Sequence, residues 1–159
     1  MVFKKETDNH VTWSNTYSVG IKVIDNQHKG LLDLVNDLFN HATGNEIEER
    51  AYFTEVIQHV VQYVKEHFST EEKIMIAAQF PGYAEHKKAH DAFVLEVIKS
   101  AKEFEAGKRL VLAKLAHFLK DWILAHIGVM DTQYAEYFRK IATRKADGTL
   151  SVTKADIKQ

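Results

Sequence analysis

Two pairs of residues, each spaced four apart, constrain this chain more than any other feature of its sequence. The first pair is His67 and Glu71, and the second is His86 and His90. On an α-helix, residues four apart lie about 40° apart around the axis and about 6 Å apart along it, so both side chains of a pair point toward one place. Imidazole and carboxylate are metal-ligating groups. The two pairs therefore predict a metal site inside a helical protein.

Apolar residues recur with the period of an amphipathic helix in four segments. The segments run from about Asp25 to Ala42, from Asn45 and Glu46 to about Ala77, from about Tyr83 to Gly107, and from Leu110 to about Ala142. Asp25 is expected to cap the first helix, and Pro81 followed by Gly82 must end the second. Four long helices with short connections predict an all-α fold, an up-down-up-down antiparallel four-helix bundle.

Two stretches flank the four helices. Residues 1–21 carry aromatic and β-branched side chains without helical period, and we expect them to form an N-terminal arm packed on the bundle. The bundle with its arm would then span residues 1–142 as one domain. Residues 143–159 are expected to form a short polar C-terminal tail, with a turn at Asp147 and Gly148.

The composition argues against several classes of protein. The chain is 45% hydrophobic and 27% charged, and its net charge of -1 gives no electrostatic reason to expect nucleic acid or an anionic membrane as partner. No apolar run approaches the roughly 18 residues of a membrane helix, and the N-terminus lacks the apolar stretch of a signal peptide, so we expect a cytoplasmic protein. Because the chain has no cysteine, nitrogen and oxygen atoms must hold any metal.

Three further residues extend the two pairs to seven candidate ligands. His28 lies on the apolar stripe of the first helix, and His126 and Asp131 lie on the fourth. A single histidine on an apolar face is more often a hydrogen-bonded core residue than a ligand. That explanation fails for the set, because it would bury five histidines and two acids on four helices without the partners that buried charge requires.

Four other histidines are assigned to the ordinary class of core residues that do not bind metal. They are His10, His41, His59 and His117. His117 lies nine residues before His126, which places it about 180° around the helix and away from the site.

One spacing departs from the helical repeat. His126 and Asp131 are five residues apart, about 140° around an ideal helix. The two residues can share a metal site if they approach it from either side, or if the helix is locally widened into a π turn. The sequence leaves both alternatives open.

Coordination chemistry narrows the choice of metal. Seven side chains are too many for one ion, and two octahedral ions have one more position than these side chains and one bridging oxygen can fill. Structural zinc prefers closed tetrahedral sites, and calcium and magnesium prefer oxygen ligands. A nitrogen-rich cluster with one open position therefore favours a pair of six-coordinate, redox-active ions, most of all iron.

The order and spacing of these residues resemble the hemerythrin family, in particular the single-domain bacterial hemerythrins. The resemblance runs from Trp13 to Tyr137 and rests on Trp13, the run Ile24-Asp25-Asn26-Gln27-His28, and the motifs His67-x3-Glu71, His86-x3-His90 and His126-x4-Asp131. Myohemerythrin is itself a standard example of the up-down-up-down bundle, so the resemblance implies the same fold.

The resemblance also implies a ligand set and a function. One iron would be held by His86, His90 and His126, the other by His28 and His67, and both would be bridged by Glu71 and Asp131. The open position then falls on the two-histidine iron, where dioxygen binds reversibly and ends as a hydroperoxide. The implied cofactor is two iron ions in an oxo- or hydroxo-bridged centre, and the implied role is an oxygen carrier or store, not an enzyme.

Six bulky residues are expected to line the oxygen pocket, because they lie three or four positions from a histidine of the fourth, second or first helix. They are Leu31, Leu32, Tyr63, Val64, Trp122 and Ile123. Such apolar walls would exclude water and slow autoxidation.

Other functions remain as alternatives. A sensor of oxygen or redox state would change the conformation of the arm or tail, and a di-iron oxidase, peroxidase or nitric-oxide-handling enzyme would turn over at the same centre. The sequence places no general acid or base beside the open position, which argues against an enzyme. Iron storage is a weaker alternative.

Dioxygen is the expected ligand, an oxygen-consuming protein is a candidate partner, and the oligomeric state is not determined.

Overall fold

The computed structural model describes residues 9–146, which form four helical rods. The first three rods are single α-helices, α1 (Lys22–His41), α2 (Glu46–Ala77) and α3 (Tyr83–Glu105). The fourth rod consists of α4 (Val111–His126), a π-helical turn (Ile127–Asp131) and α5 (Thr132–Ala146). A short 3-10 turn at Asn15–Tyr17 precedes α1.

The rods pack as a ring of neighbours. Both α1 and α3 pack against α2 and against α4, and the connections between successive rods are only four or five residues long. Short connections make consecutive helices antiparallel. The predicted all-α, up-down-up-down four-helix bundle is therefore confirmed. Among the described residues, no helix is long and apolar enough to cross a membrane.

The start of α1 differs from the prediction. The helix begins at Lys22, with Ile21 in the capping position, so the expectation that Asp25 is the N-cap is wrong. The Asp25 carboxylate instead accepts hydrogen bonds from the Ser18 hydroxyl (2.6 Å) and from the Val19 backbone N–H (2.8 Å). A carboxylate in the first turn is stabilised by the helix dipole, and here it also ties the preceding chain to the helix.

The other helix ends lie close to their predicted positions. The Asn45 side chain caps α2 by accepting from the backbone N–H groups of Ile47 and Glu48. The fourth rod begins directly after Leu110, which adopts a left-handed backbone (φ 60). This rod extends to Ala146, four residues further than expected. The predicted turn at 147–148 and the rest of the tail lie outside the described residues.

The described part of the N-terminal arm is tied to the bundle by hydrogen bonds. The backbone of Val11 and the side-chain amide of Asn36 exchange two bonds of 2.8 Å each. Further along, the Arg139 guanidinium donates to the backbone carbonyl of Val19 (3.1 Å). The arm thus contacts both the first and the fourth rod.

The apolar core is divided into two clusters. The larger is packed around Leu38, Phe53 and Leu115, and the smaller around Ile24, Ile74, Met75 and Tyr134. Along α1 and α2, the residues between the two clusters include His28 and Glu71, both with no exposed surface. The buried polar residues therefore lie between two apolar layers, which isolate them from solvent at both ends.

Candidate metal centre

All seven predicted ligand residues converge on one place in the bundle, and each is at most 5% exposed. Their ligating atoms fall into two groups of four, each lying within 4.8 Å. The first group is Glu71, His86, His90 and His126, and the second is His28, His67, Glu71 and Asp131. We call these the three-histidine group and the two-histidine group. The structure brings the residues together, and their role as ligands remains a prediction that the geometry supports.

A π turn resolves the irregular spacing on the fourth rod. The helix widens over Ile127–Asp131, which brings residues five apart onto one face. As a result, His126 Nε2 lies 3.0 Å from Asp131 Oδ1. The Thr132 hydroxyl donates to the carbonyl oxygen of Ile127 (3.0 Å) within the widened turn. Of the two alternatives that the sequence leaves open, the structure adopts the local widening.

Each carboxylate directs one oxygen toward each histidine group. Glu71 Oε1 lies 3.5 Å from His67 Nε2, whereas Glu71 Oε2 lies 3.1 Å from His90 Nε2. Asp131 divides in the same way, with Oδ2 at 2.9 Å from His28 Nε2 and Oδ1 at 3.0 Å from His126 Nε2. Two carboxylates with their oxygens divided between two sets of imidazoles have the arrangement of bridging ligands.

The three-histidine group has a geometry that hydrogen bonds alone do not explain. The Nε2 atoms of His86, His90 and His126 are 2.9, 3.1 and 3.2 Å apart. A ring nitrogen that carries a proton cannot also accept one, so three mutual contacts cannot all be hydrogen bonds. A cation bound to all three nitrogens would satisfy them together, which means that the donor set fits a metal ion.

The remaining buried atoms point to the same conclusion. Although His28 Nε2 lies 2.9 Å from Asp131 Oδ2, the two atoms are not aligned for a hydrogen bond. Among the described residues, Glu71 Oε2 and both oxygens of Asp131 also lack a hydrogen-bond partner. Buried polar atoms without partners are costly. Their shared orientation toward the centre of the cluster fits a pair of metal ions.

Burial and close ionisable partners shift the pKa values of several residues in the cluster. Burial lowers the pKa of both His28 and His86, but contacts with Asp131 and Glu71 outweigh burial and raise each pKa to about 9. Burial lowers the pKa of His67 to about 4, and Glu71 offsets this only in part. Burial raises the pKa of Asp131, but its histidine partners lower it to about 2. Since a ligating imidazole must be neutral, metal binding would displace the protons of His28 and His86.

A chain of hydrogen bonds orients His67. Its Nδ1 lies 2.9 Å from Gln27 Oε1, and Gln27 Nε2 donates to the Thr70 hydroxyl (3.1 Å). The Thr70 hydroxyl donates in turn to the backbone carbonyl of Glu66 (2.8 Å). If Nδ1 carries the proton and donates to Gln27, Nε2 is free to bind a cation.

Gln27 is itself held in place by α2. The Tyr63 hydroxyl donates to the backbone carbonyl of Gln27 (3.0 Å). This contact requires glycine at position 30, because a Cβ atom there would lie 1.9 Å from the Tyr63 oxygen. The two-histidine group therefore depends on a close approach between α1 and α2.

Different contacts support the three-histidine group. The Glu72 carboxylate accepts from His90 Nδ1 (3.0 Å), and Phe68 stacks on the other side of the same histidine with ring centroids 3.7 Å apart. Trp122 stacks on His126 at 4.2 Å and also packs against Phe68. Aromatic rings and one carboxylate thus hold these imidazoles in their orientations.

One bridging carboxylate has a further partner. The buried Tyr134 hydroxyl donates to Glu71 Oε1 (2.9 Å). Burial, together with the nearby Glu71 carboxylate, raises the pKa of Tyr134 well above its usual value, so the hydroxyl keeps its proton. The donated bond fixes the orientation of Glu71 between the two histidine groups.

The six residues expected to line an oxygen pocket all belong to the core or its edge. Leu31, Leu32, Val64 and Ile123 are buried, and Tyr63 and Trp122 are partly buried. Two of them have more specific contacts, since Tyr63 bonds to Gln27 and Trp122 stacks on His126. That these residues line a pocket for oxygen remains a prediction.

The four histidines left out of the ligand set are exposed. His10, His41, His59 and His117 all lie on the surface, so their assignment as core residues is wrong. Two of them instead pack against aromatic rings at the surface, His41 on Tyr52 and His117 on Phe39. That these four histidines do not bind the metal of the cluster remains a prediction.

Sequence reasoning did not identify the supporting residues Gln27, Glu72 and Tyr134. Each lies one or three positions from a predicted ligand, so proximity in sequence is a weak indication for all three. Their partners, however, lie 18 to 63 residues away. Only the packing of the rods shows which neighbour meets which ligand.

Comparison with known proteins agrees with this fold and this site. The family pattern described as "Hemerythrin HHE cation binding domain" matches residues 19–138. A protein named bacteriohemerythrin from Pseudomonas aeruginosa (strain LESB58) is 35% identical over 130 residues, which cover 82% of each chain. The bacteriohemerythrin of Methylococcus capsulatus is 32% identical over 126 residues, covering 78% of this chain and 93% of the relative. A crystal structure of wild-type hemerythrin superposes with a TM-score of 0.69 at 31% identity, covering 79% of this chain and 95% of the other.

Fold and site together define a four-helix bundle with two buried groups of histidine and carboxylate ligands, consistent with a di-metal site. The family pattern covers most of the chain, and relatives above 30% identity cover about four-fifths of it. The chain belongs to the hemerythrin family.

Proposed function

We propose that this protein binds dioxygen reversibly at a di-iron centre and serves as an oxygen carrier or store. The observation that carries the proposal is the unequal division of histidines around two shared carboxylates. One ion would be held by His86, His90 and His126, the other by His28 and His67. Glu71 belongs to both groups, and Asp131 directs one oxygen at each. Two six-coordinate ions with one bridging oxygen then leave one position open, on the two-histidine side.

The donor set of the cluster favours a pair of redox-active ions over structural zinc. The three imidazole nitrogens lie 2.9 to 3.2 Å apart, so one cation would contact all of them. Structural zinc prefers four ligands in a closed tetrahedron, whereas five imidazoles and two carboxylates exceed that number. Imidazole and carboxylate ligands together suit iron.

A pair of iron ions would supply the two electrons that reversible dioxygen binding requires. The chain's own residues would then supply the environment. His28 and Glu71 have no exposed surface, and the apolar clusters on both sides of the site exclude water. Exclusion of water disfavours the loss of charged products from the site and so opposes irreversible oxidation. The predicted pocket residues, Leu31 and Ile123 among them, would contribute to this barrier.

The names of the relatives support this proposal. Several are called bacteriohemerythrin, and one from Theromyzon tessulatum, 28% identical, is called myohemerythrin. Binding of oxygen, rather than its chemical conversion, is the function that we transfer to this chain.

The proposal is tested by reversibility. Protein loaded anaerobically with ferrous iron should contain about two iron atoms per chain and should develop a visible charge-transfer band on exposure to oxygen. The band should disappear when oxygen is removed and return when it is readmitted. His67→Gln should abolish the band. His59→Gln, an exposed histidine on the same helix, should leave it unchanged.

Three results would contradict the proposal. Steady consumption of oxygen and added reductant would show an enzyme instead. Irreversible bleaching after one exposure would exclude a carrier. A band that persists in His67→Gln would place the oxygen site elsewhere.

A further inference from the structure

The outer surface of α3 and its neighbour α2 carries an unusual group of apolar residues. Val61 on α2 is 49% exposed, and Val94, Leu95 and Ile98 on α3 are 39%, 66% and 45% exposed. The other exposed large apolar residues, Ile47, Ile76, Leu110 and Val129, are widely separated along the chain. Single exposed apolar residues need no explanation, but a cluster of them marks an interaction surface.

The cluster has a definite shape, a ridge between two grooves. Leu95 and Ile98 form the ridge. On one side lies a groove between α2 and α3 of about 430 Å³, which Val61, Val64 and Val97 help to line. On the other side lies a shallower groove of about 530 Å³, along Lys99, Lys102 and Ala106. Helices pack by inserting the ridges of one into the grooves of another, so this surface is suited to receive a helix.

The charges on α3 indicate which helix fits. Asp91, Leu95, Ile98 and Lys102 follow one another at spacings of four, three and four, so they lie on one stripe of the helix. All four are exposed. The stripe therefore has an acid at one end, a base at the other, and two apolar residues between them.

Such a stripe is complementary to the same stripe of a second copy that runs antiparallel to it. If two copies of α3 pack antiparallel about a two-fold axis between positions 96 and 97, Leu95 of each copy faces Ile98 of the other. The same register places Asp91 opposite Lys102. Among the side chains that the structure describes, residues 9–141, Lys102 has no ion-pair partner and Asp91 is paired only with Lys87 (3.0 Å). A two-fold interface needs this kind of self-complementarity, because the same patch must serve both subunits.

We infer that the protein forms a symmetric dimer in which α3 of one copy packs antiparallel against α3 of the other, through Leu95, Ile98, Asp91 and Lys102. The ridges of the two copies pack against each other at the axis, beside the grooves. The interface covers the α2–α3 groove, which His90 and Glu72 also line, and so adds a layer between the three-histidine group and solvent. The dimer does not depend on the identity of the metal.

The test measures the mass of the full-length, metal-loaded protein by sedimentation velocity over a range of concentrations. We expect a concentration-dependent dimer for the natural sequence and a monomer for Leu95→Glu, because the variant would bury two charges at the axis. Ile47→Glu, at an apolar residue that is 84% exposed at the start of α2, serves as the matched control and should dimerise normally.

Charge reversal tests the register. Asp91→Lys and Lys102→Asp should each weaken dimerisation about tenfold, because each places like charges opposite one another twice in the symmetric interface. The double variant carrying both changes should regain the affinity of the natural sequence. All four positions are exposed, so circular dichroism and iron content should not change.

Two results would overturn the inference. The first is a natural protein that remains monomeric at all concentrations, which would mean that this surface binds a different partner. The second is a dimer that survives Leu95→Glu, or whose weakening by the single charge reversals is not repaired in the double variant.

Discussion

The two histidine groups of the cluster are supported by different parts of the fold. His67 is oriented by the side-chain amide of Gln27, which lies on another helix. The Tyr63 hydroxyl donates to the Gln27 backbone carbonyl, and glycine at position 30 leaves room for this hydroxyl. In the three-histidine group, aromatic side chains hold the imidazoles by stacking: Phe68 stacks on His90, and Trp122 stacks on His126. The first support is a short series of directional hydrogen bonds, whereas the second consists of broad apolar contacts.

The two kinds of support should tolerate small displacements of the surrounding residues to different degrees. A hydrogen bond depends on angle as well as distance and weakens steeply when its alignment changes, but stacked rings retain most of their contact after a small shift. The two-histidine group, where the open position is proposed, should therefore be the more sensitive to changes in its surroundings. The two carboxylates that the groups share should be the most sensitive positions of all.

The largest effect is expected for Glu71→Gln. The amide preserves the shape and can still accept from Tyr134, but it removes the charge directed at both histidine groups. We expect metal affinity to fall by more than about 100-fold at both positions. Elemental analysis after dialysis measures the loss, and Glu66→Gln, an exposed glutamate on the same helix, is the control. Retention of both ions would show that the carboxylate is not shared.

A smaller and selective effect is expected for Gln27→Leu. Loss of the hydrogen bond should free the His67 ring and reduce metal affinity of the two-histidine group by about 10- to 100-fold. The three-histidine group should keep its ion, so that metal titration shows one tight and one weakened site. The adjacent Asn26→Leu, at an exposed position, should leave both sites intact. An equal loss of metal affinity at both sites would show that the two histidine groups do not differ in their sensitivity to supporting contacts.

The smallest effect is expected for Glu72→Gln. Glu72 is 21% exposed and lies 3.9 Å from Lys87, so its charge is partly screened, and Phe68 still stacks on His90 in the variant. We expect metal affinity of the three-histidine group to fall by no more than about threefold. A competition titration with a chelator resolves a change of this size. A loss as large as that of Gln27→Leu would show that ring stacking adds little to the support of His90.

The sequence predicted the ligand positions best where both residues of a pair lie on the same helix. The pairs His67 and Glu71, and His86 and His90, are each carried by a single helix, and the apolar stripes that place them inside the bundle are local patterns as well. Sequence reasoning was less successful at Asp25, which was expected to cap α1. That carboxylate bonds to Ser18 and Val19, and the path of the arm, rather than helix propensity, decides where α1 begins.

The exposed histidines show the same limit in another form. His41, His59 and His117 lie on helices, but a single polar residue on an amphipathic helix has no local feature that fixes its burial. Their position depends on how each rod is rotated against its neighbours. The rotation is set by packing over the whole interface.

By itself, the sequence determined the number of helices, the face that each buries, and the residue types brought to the centre of the bundle, because helical periodicity is a property of neighbouring residues. The tertiary structure alone decided that the fourth rod widens at Ile127–Asp131, that Gln27 meets His67 across 40 positions, and that each carboxylate divides its oxygens between two histidine groups. These features depend on contacts between distant segments, whose geometry is fixed only when the four rods pack together.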